Sequence, residues 1–194
     1  MVKNRLVILM MVVLILFLPV FVLAGTVELP ETGQTTCYDS SGSVIACPGT
    51  GQDGDIKAGV AWPSPRFTVS ADGYCITDDL TGLMWVRLPD GVKRTTWQQA
   101  LDYANGLSLC GYTDWRLPNV NELESLINAE QSNTATWLNT QGFSNVQSYY
   151  YWSSTSVADG SDYAWIVSIE GWNGYVKHDY KSYYDYVWPV RSGQ

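Results

Sequence analysis

Trp172, Asn173, Tyr175, Lys177, His178, Tyr180, Lys181, Tyr183, Tyr184 and Tyr186 fall within 15 residues near the C-terminus. Their chemistry is that of recognition. Aromatic rings cover apolar faces of a ligand, while amide, ammonium and imidazole groups fix its hydroxyls. Tyrosine does this with little loss of side-chain entropy. The first nine of these residues form the candidate ligand-binding set. Lys177, His178 and Lys181 make a local basic cluster suited to an anionic sugar. The competing use of the same residues is a tyrosine-rich sheet packed on itself or between copies of the chain.

Catalytic chemistry has much less to stand on. His178 is the only histidine, so any Ser-His-Asp arrangement would depend on it. Asp159, Asp162, Glu170, Asp179 and Asp185 supply carboxylates, but nothing in their spacing places two together. No catalytic residue is assigned and the chain is expected not to be an enzyme, a hydrolase or oxidative modifier being the remote alternative. Zinc is disfavoured by the single histidine and the absence of a Cys-x-x-Cys pair. Gln52-Asp53-Gly54-Asp55 resembles half of a calcium loop but lacks the later acidic ligand. The expectation is no cofactor, with calcium at that turn as the alternative.

Compartment and charge narrow the partners. Lys3 and Arg5 precede an almost wholly apolar run from Leu6 to Leu23, and Val22-Leu23-Ala24 offers a small-residue cleavage site. Residues 1–24 therefore read as an export signal, a retained anchor being the alternative. Cleavage leaves nine basic residues against 19 acidic, a net charge of −10. Such a surface disfavours nucleic acid and anionic membranes, and no insertion of the mature chain is expected. The chain is then periplasmic, surface-held or extracellular. Cys37, Cys47, Cys75 and Cys110 are expected to be disulfide-bonded there. Of the three pairings, Cys37–Cys47 with Cys75–Cys110 is favoured.

The elements that must carry these groups follow from local pattern. Residues 25–65 are rich in Gly, Thr, Ser, Asp and Pro and read as an irregular, disulfide-stapled arm or spacer. Residues 66–194 read as the domain. Phe67–Val69, Tyr74–Ile76 and Leu83–Val86 are short predicted strands. A helix is predicted from Trp97 to about Leu107. Asp114-Trp115-Arg116-Leu117-Pro118-Asn119 then forms a corner. Pro118 makes Leu117 arrive extended, and Asn119 with Glu122 completes a capping box for a second helix to about Ala129. Beyond Asn133 the pattern reads as β throughout, with strands at Tyr149–Thr155, Tyr163–Ile169, Gly174–Asp179 and Tyr186–Arg191. Two helices followed by antiparallel strands is an α+β order.

Four blocks stand in sequence: Thr81-Gly82-Leu83-Met84-Trp85, Cys110 to Asn119, Tyr151-Trp152-Ser153-Ser154-Thr155, and Val187 to Gln194. Together they resemble the Lcl C-terminal domain family, named for the terminal domain of a bacterial collagen-like adhesin. Gly59 to Phe67 looks like the lead-in of exported members. The resemblance implies a C-type-lectin-like fold, two helices packed on small antiparallel sheets, with terminal strands close together. It is similar in fold to sulfatase-modifying factors and to the variable proteins of diversity-generating retroelements. The cysteine pair of the sulfatase-modifying enzymes is not carried over, because no cysteine follows Cys110. In the adhesin the domain is linked to polysaccharide binding and trimer formation. The resemblance thus implies an exported binding or adhesion domain for an extracellular glycan or protein, with a homotrimer or another surface assembly as the alternative role. Trp85, Trp115, Trp152 and Trp188 lie within the blocks and are expected in the core. Arg116, Asn119 and Arg191 are expected to be structural.

Overall fold

The computed structural model describes residues 29–88, 94–170 and 174–193. The segment 1–24 read as an export signal, Trp172 and Asn173 lie outside the described residues. The chain enters through a small hairpin, β1 (Cys37–Tyr38) and β2 (Val44–Ile45), clamped by a Cys37–Cys47 disulfide. A single turn of helix, α1 (Asp53–Ile56), packs beneath it. A Cβ on Gly54 would stand 3.1 Å from Cys37 Sγ, so this close approach requires glycine. The segment is held to the body at several points. Thr35 and Thr36 donate their N–H groups to Glu130 at 2.7 and 3.0 Å, and Ala129 N–H donates to the Thr32 carbonyl at 3.0 Å. The acids of the half calcium loop are occupied locally. Asp53 accepts from the Thr32 hydroxyl, and Asp55 accepts from the N–H groups of Gly49 and Gly51.

Turn residues and alternating apolar side chains then generate β3 (Phe67–Val69), β4 (Cys75–Asp78) and β5 (Leu83–Val86), which pair as an antiparallel meander. After α2 (Trp97–Asn105), α3 (Val120–Glu124) and α4 (Thr134–Thr140) come β6 (Tyr150–Val157), β7 (Gly160–Ser168), β8 (Tyr175–Tyr180) and β9 (Val190–Ser192). The last strand returns to pair with β5, giving a four-stranded sheet in the order β3-β4-β5-β9. The order β6-β7-β8 forms a second, three-stranded sheet. Small antiparallel sheets with few, short helices make this a mixed α+β fold.

Trp85, Trp115, Trp152 and Trp188 are all at most 2% exposed. Trp85 and Trp188 meet edge to face at 5.6 Å, and Phe143 and Tyr151 lie against Trp188 at 5.2 and 5.3 Å. The Trp188 indole donates to the Val86 carbonyl at 2.8 Å, and Val86 in turn donates to the Pro189 carbonyl. A second cluster of Ala100, Ala104, Leu117, Trp152, Ile166 and Val187 seats α2 on the three-stranded sheet.

The Asp114–Asn119 corner ties these layers together. The Asn119 side chain accepts from Glu122 N–H at 2.9 Å, and Glu122 accepts from Asn119 N–H at 2.8 Å. Both Glu122 oxygens also receive Arg116, at 2.6 and 2.7 Å. Burial opposes ionisation of Glu122, but these donors and the Arg116 charge outweigh it and hold the carboxyl below its ordinary range. Asp114 receives the buried Arg191 guanidinium at 2.8 and 3.1 Å. Ser154 N–H donates to the Pro118 carbonyl at 2.7 Å.

Three elements differ from the pattern reading. The helix after Asn119 ends at Glu124 instead of about Ala129. There Ser125 Oγ donates to the Glu122 carbonyl and Arg66 takes the Ser125 carbonyl, and the backbone tightens into three-residue turns. The apolar spacing persists through Leu126, which is fully buried. The segment after Asn133, read as β, is helix α4, capped by the Asn133 side chain accepting from Thr136 N–H. Its threonines are β-branched and masked the signal, while the Asn cap and buried Ala135 and Leu138 carry it. The predicted strand Tyr186–Arg191 is regular only from Val190. Its first part crosses between the sheets, where Tyr186 bridges Tyr151.

Candidate functional site

Strand register sorts the C-terminal aromatics onto two faces. Directly paired residues of an antiparallel sheet share a face, and neighbours along a strand alternate. Tyr163 pairs with Tyr180 and Trp165 with His178, whereas Ile166 pairs with Lys177 and Ala164 with Asp179. His178 and Tyr180 therefore stand on the face opposite Tyr175, Lys177 and Asp179. On the first face Tyr163 stacks on Tyr180 at 4.2 Å, and His178 meets Tyr163 and Trp165 edge-on at 5.0 and 5.9 Å. Hydrogen bonding with Tyr180 pushes the Tyr163 phenol up to about 12. This is an aromatic ridge.

The other face opens into a cleft of about 310 Å³ lined by Arg94, Tyr149, Tyr150, Asp179, Tyr183, Tyr184 and Asp185. Each wall has a local cause. Arg94 precedes the capping box of α2, and the chain there is tied across to Asp185, the backbones of Thr95 and Asp185 exchanging hydrogen bonds at 2.9 and 3.1 Å. The Trp152 indole donates to the Thr95 carbonyl and fixes that rung to β6. Tyr149 and Tyr150 lie at the start of β6, their rings 5.0 Å apart. Tyr183 enters by a turn in which its N–H donates to the Tyr180 carbonyl. Its ring lies 5.3 Å from Tyr180, so it joins the ridge to the cleft.

Most of the cleft's polar groups are already committed. Arg94 donates to the Tyr149 hydroxyl at 2.8 Å and lies over its ring. The Tyr150 and Tyr175 hydroxyls share a hydrogen bond of 2.8 Å, and Lys177 Nζ sits 3.7 Å over the Tyr150 ring. Asp179 accepts from Tyr180 N–H at 2.9 Å. Asp185 is the exception. The residue is only 3% exposed, and its Oδ2 is buried with no hydrogen-bond partner. Burial, then the Asp179 charge, push its carboxyl up to about 7, against the opposing pull of Lys177 and Arg94.

A raised carboxyl pKa makes Asp185 a stability cost once it ionises. The unfolded chain loses this proton near the ordinary aspartate range and the folded chain only near 7. Its contribution is thus fully present at acid pH and disappears as pH rises through about 7. Asp185→Asn is expected to raise thermal stability at about pH 8, by ~1–3 kcal/mol, and to change it little at about pH 4. Melting curves of both proteins across that range check this, and equal shifts at the two ends would count against it.

The nine predicted ligand residues are thus distributed. Tyr183 and Tyr184 line the cleft, Tyr175 and Lys177 brace Tyr150 beside it, and His178 and Tyr180 belong to the ridge. Lys181 donates to the Ser161 carbonyl at 2.8 Å and lies over Trp97, so it acts as a clamp on α2. Trp172 and Asn173 are outside the described residues. Lys177, His178 and Lys181 do not form one basic cluster, because strand alternation and the Lys181 clamp separate them. Arg94, Tyr149 and Tyr150 are additions from distant sequence. Asp185 carried a readable signal, a single acid inside the run Tyr183-Tyr184-Asp185-Tyr186-Val187-Trp188.

The described residues thus form a disulfide-linked α+β domain with a cleft walled by tyrosines and lined by Asp179, Asp185 and Arg94. The chain belongs to the Lcl C-terminal domain family, whose model matches residues 74–191. That span includes the whole cleft and both cysteines of the second disulfide, Cys75–Cys110. No curated protein matches the chain. The four sequence blocks are tied to one another in pairs: Trp85 packs on Trp188, Asp114 receives Arg191, Arg116 N–H donates to the Val190 carbonyl and Ser154 N–H to the Pro118 carbonyl. Among the described residues, no group of three or more His, Cys, Asp or Glu could hold a metal ion. Among those same residues, no helix is long and apolar enough to cross a membrane.

Proposed function

We propose that this chain is an exported, C-type-lectin-like binding domain that takes an extracellular saccharide into the cleft between Tyr149, Tyr150, Tyr183, Tyr184 and Asp185. The observation that carries this reading is the unpartnered, buried oxygen of Asp185, a residue lining a tyrosine-walled cleft. The exposed Tyr183 and Tyr184 rings suit the apolar faces of sugar rings, and an unmet carboxyl oxygen suits a ligand donor. The two disulfides fit an oxidising compartment.

A glycan array tests the proposal. Tyr183 and Tyr184 are 53% and 58% exposed, so Tyr183→Ala and Tyr184→Ala leave the core intact. Binding of a defined saccharide by the parent, weakened at least roughly tenfold in Tyr184→Ala, is the expected result. A folded sample that binds nothing on the array, or binding indifferent to both changes, would remove the saccharide reading. A second reading rests on the ridge of Tyr163, Trp165, His178 and Tyr180, which suits packing between copies in a surface assembly. A trimer or polymer in solution that dissociates on Tyr180→Ala would favour it.

A further inference from the structure

We infer that the ligand of the cleft presents a protonated primary amine to Asp185, so that the favoured saccharide class is an amino sugar. This rests on the reading of the cleft as a saccharide site and goes on to specify its chemistry. Three observations lead to it. First, the unmet capacity among the residues lining the cleft belongs to a carboxyl group, Asp185, and a second carboxyl, Asp179, lines the same cleft. An anionic ligand would meet both, while an ammonium satisfies them. Second, the walls are tyrosine rings, and the protein already seats its own cations on two of them, Lys177 on Tyr150 and Arg94 on Tyr149. The same ring electrostatics favour a ligand cation in the cleft. Third, the net charge of the chain is −8, so its long-range field draws cations and repels anions.

A metal ion fits this site less well. Calcium takes six to eight oxygen ligands, whereas the cleft offers two carboxyls among tyrosines and an arginine. The groups facing Asp185 are Asp179 and Lys177 from β8, Arg94 before α2, and the tyrosines of the walls. Of these, Asp179 opposes ionisation while Lys177 and Arg94 assist it. An arriving ammonium adds to the assisting side, so binding expels the Asp185 proton. Affinity for the amine therefore weakens as pH falls below about 7.

The test compares two sugars differing at one position, methyl 6-amino-6-deoxyglucoside and methyl glucoside, with butylammonium as a probe lacking the sugar. Binding to the full mature chain is followed by NMR titration, with the tyrosine signals as reporters. At about pH 8 the amino sugar is expected to bind roughly tenfold tighter than its hydroxyl analogue, about 1.4 kcal/mol. That preference is expected to shrink at about pH 5.5 and to vanish in Asp185→Asn, which folds at least as well as the parent. Equal affinity for both sugars overturns the amine inference and leaves the saccharide reading standing. Binding of butylammonium and the amino sugar with equal strength supports the amine and removes the saccharide reading. No shift with any probe overturns the inference, and the array result then decides the saccharide reading by itself.

Discussion

Trp188→Ala is expected to lower the stability of the folded domain by about 3–5 kcal/mol, a loss typical of emptying a buried indole site. For a chain of this length that corresponds to a fall in melting temperature of roughly 6–20 °C. The size follows from what the ring touches. Trp188 packs against Trp85, Phe143 and Tyr151 at 5.2–5.6 Å, so no single neighbour can collapse into the space. Its indole N–H also satisfies the Val86 carbonyl, which alanine would leave without that donor. The affected residues span both sheets, because Trp188 lies between the end of β8 and β9. Thermal denaturation followed by near-ultraviolet circular dichroism reads the loss directly. A change below about 1 kcal/mol would show that this cluster is not the mechanical centre of the fold.

Removing the Cys75–Cys110 disulfide has the next largest expected effect. The bridge closes 35 residues and the Cys37–Cys47 bridge only 10. Loop-closure entropy assigns about 4 kcal/mol to the first and about 3 to the second. The longer bridge should exceed that margin in practice, for two reasons. Cys75 is fully buried at the start of β4. Cys110 holds a positive φ of 52°, beside Gly111 at 80°, and the cross-link helps keep this turn in a conformation rare for L-residues. The turn leads straight into the Asp114–Asn119 corner. Cys75→Ala with Cys110→Ala should therefore destabilise the body, whereas Cys37→Ala with Cys47→Ala should loosen mainly the entry hairpin. Hydrogen exchange of the two double variants separates these outcomes. Equal loss of protection around Trp115 in both would contradict the assignment.

Much of this fold was legible because its strongest signals are local. Pro118 and the Asn119–Glu122 capping box act within five residues, and so does each short strand of the first sheet. The strand Leu83–Val86 lies where alternation and turns predicted it. The α4 helix was hidden by threonine-rich composition, its Asn133 cap being the one clear local mark. The early end of α3 depends on Arg66, some 60 residues upstream, and no local pattern reports such a contact.

The site was legible only in composition. Crowded tyrosines near the C-terminus drew attention to this part of the chain, and two of them, Tyr183 and Tyr184, line the cleft. Which neighbours share a face depends on the β7–β8 register, and a one-residue slip would exchange His178 and Tyr180 for Lys177 and Asp179. The opposing wall is built from Arg94, Tyr149 and Tyr150, brought in by the Thr95–Asp185 rung and by β6. Those long-range pairings separate the apparent basic cluster and leave a cleft with two carboxyls, whose neighbouring cations Arg94 and Lys177 lie on tyrosine rings.

The central claim is that the cleft at Asp185 is the place of recognition. A crystal structure of the mature chain with its best array saccharide bound tests this most directly. The account predicts a sugar ring against Tyr183 or Tyr184, with a ligand donor on the oxygen of Asp185 that has no partner in the free protein. A saccharide seated instead on the Tyr163–Tyr180 ridge, with Asp185 still unpartnered, would contradict it.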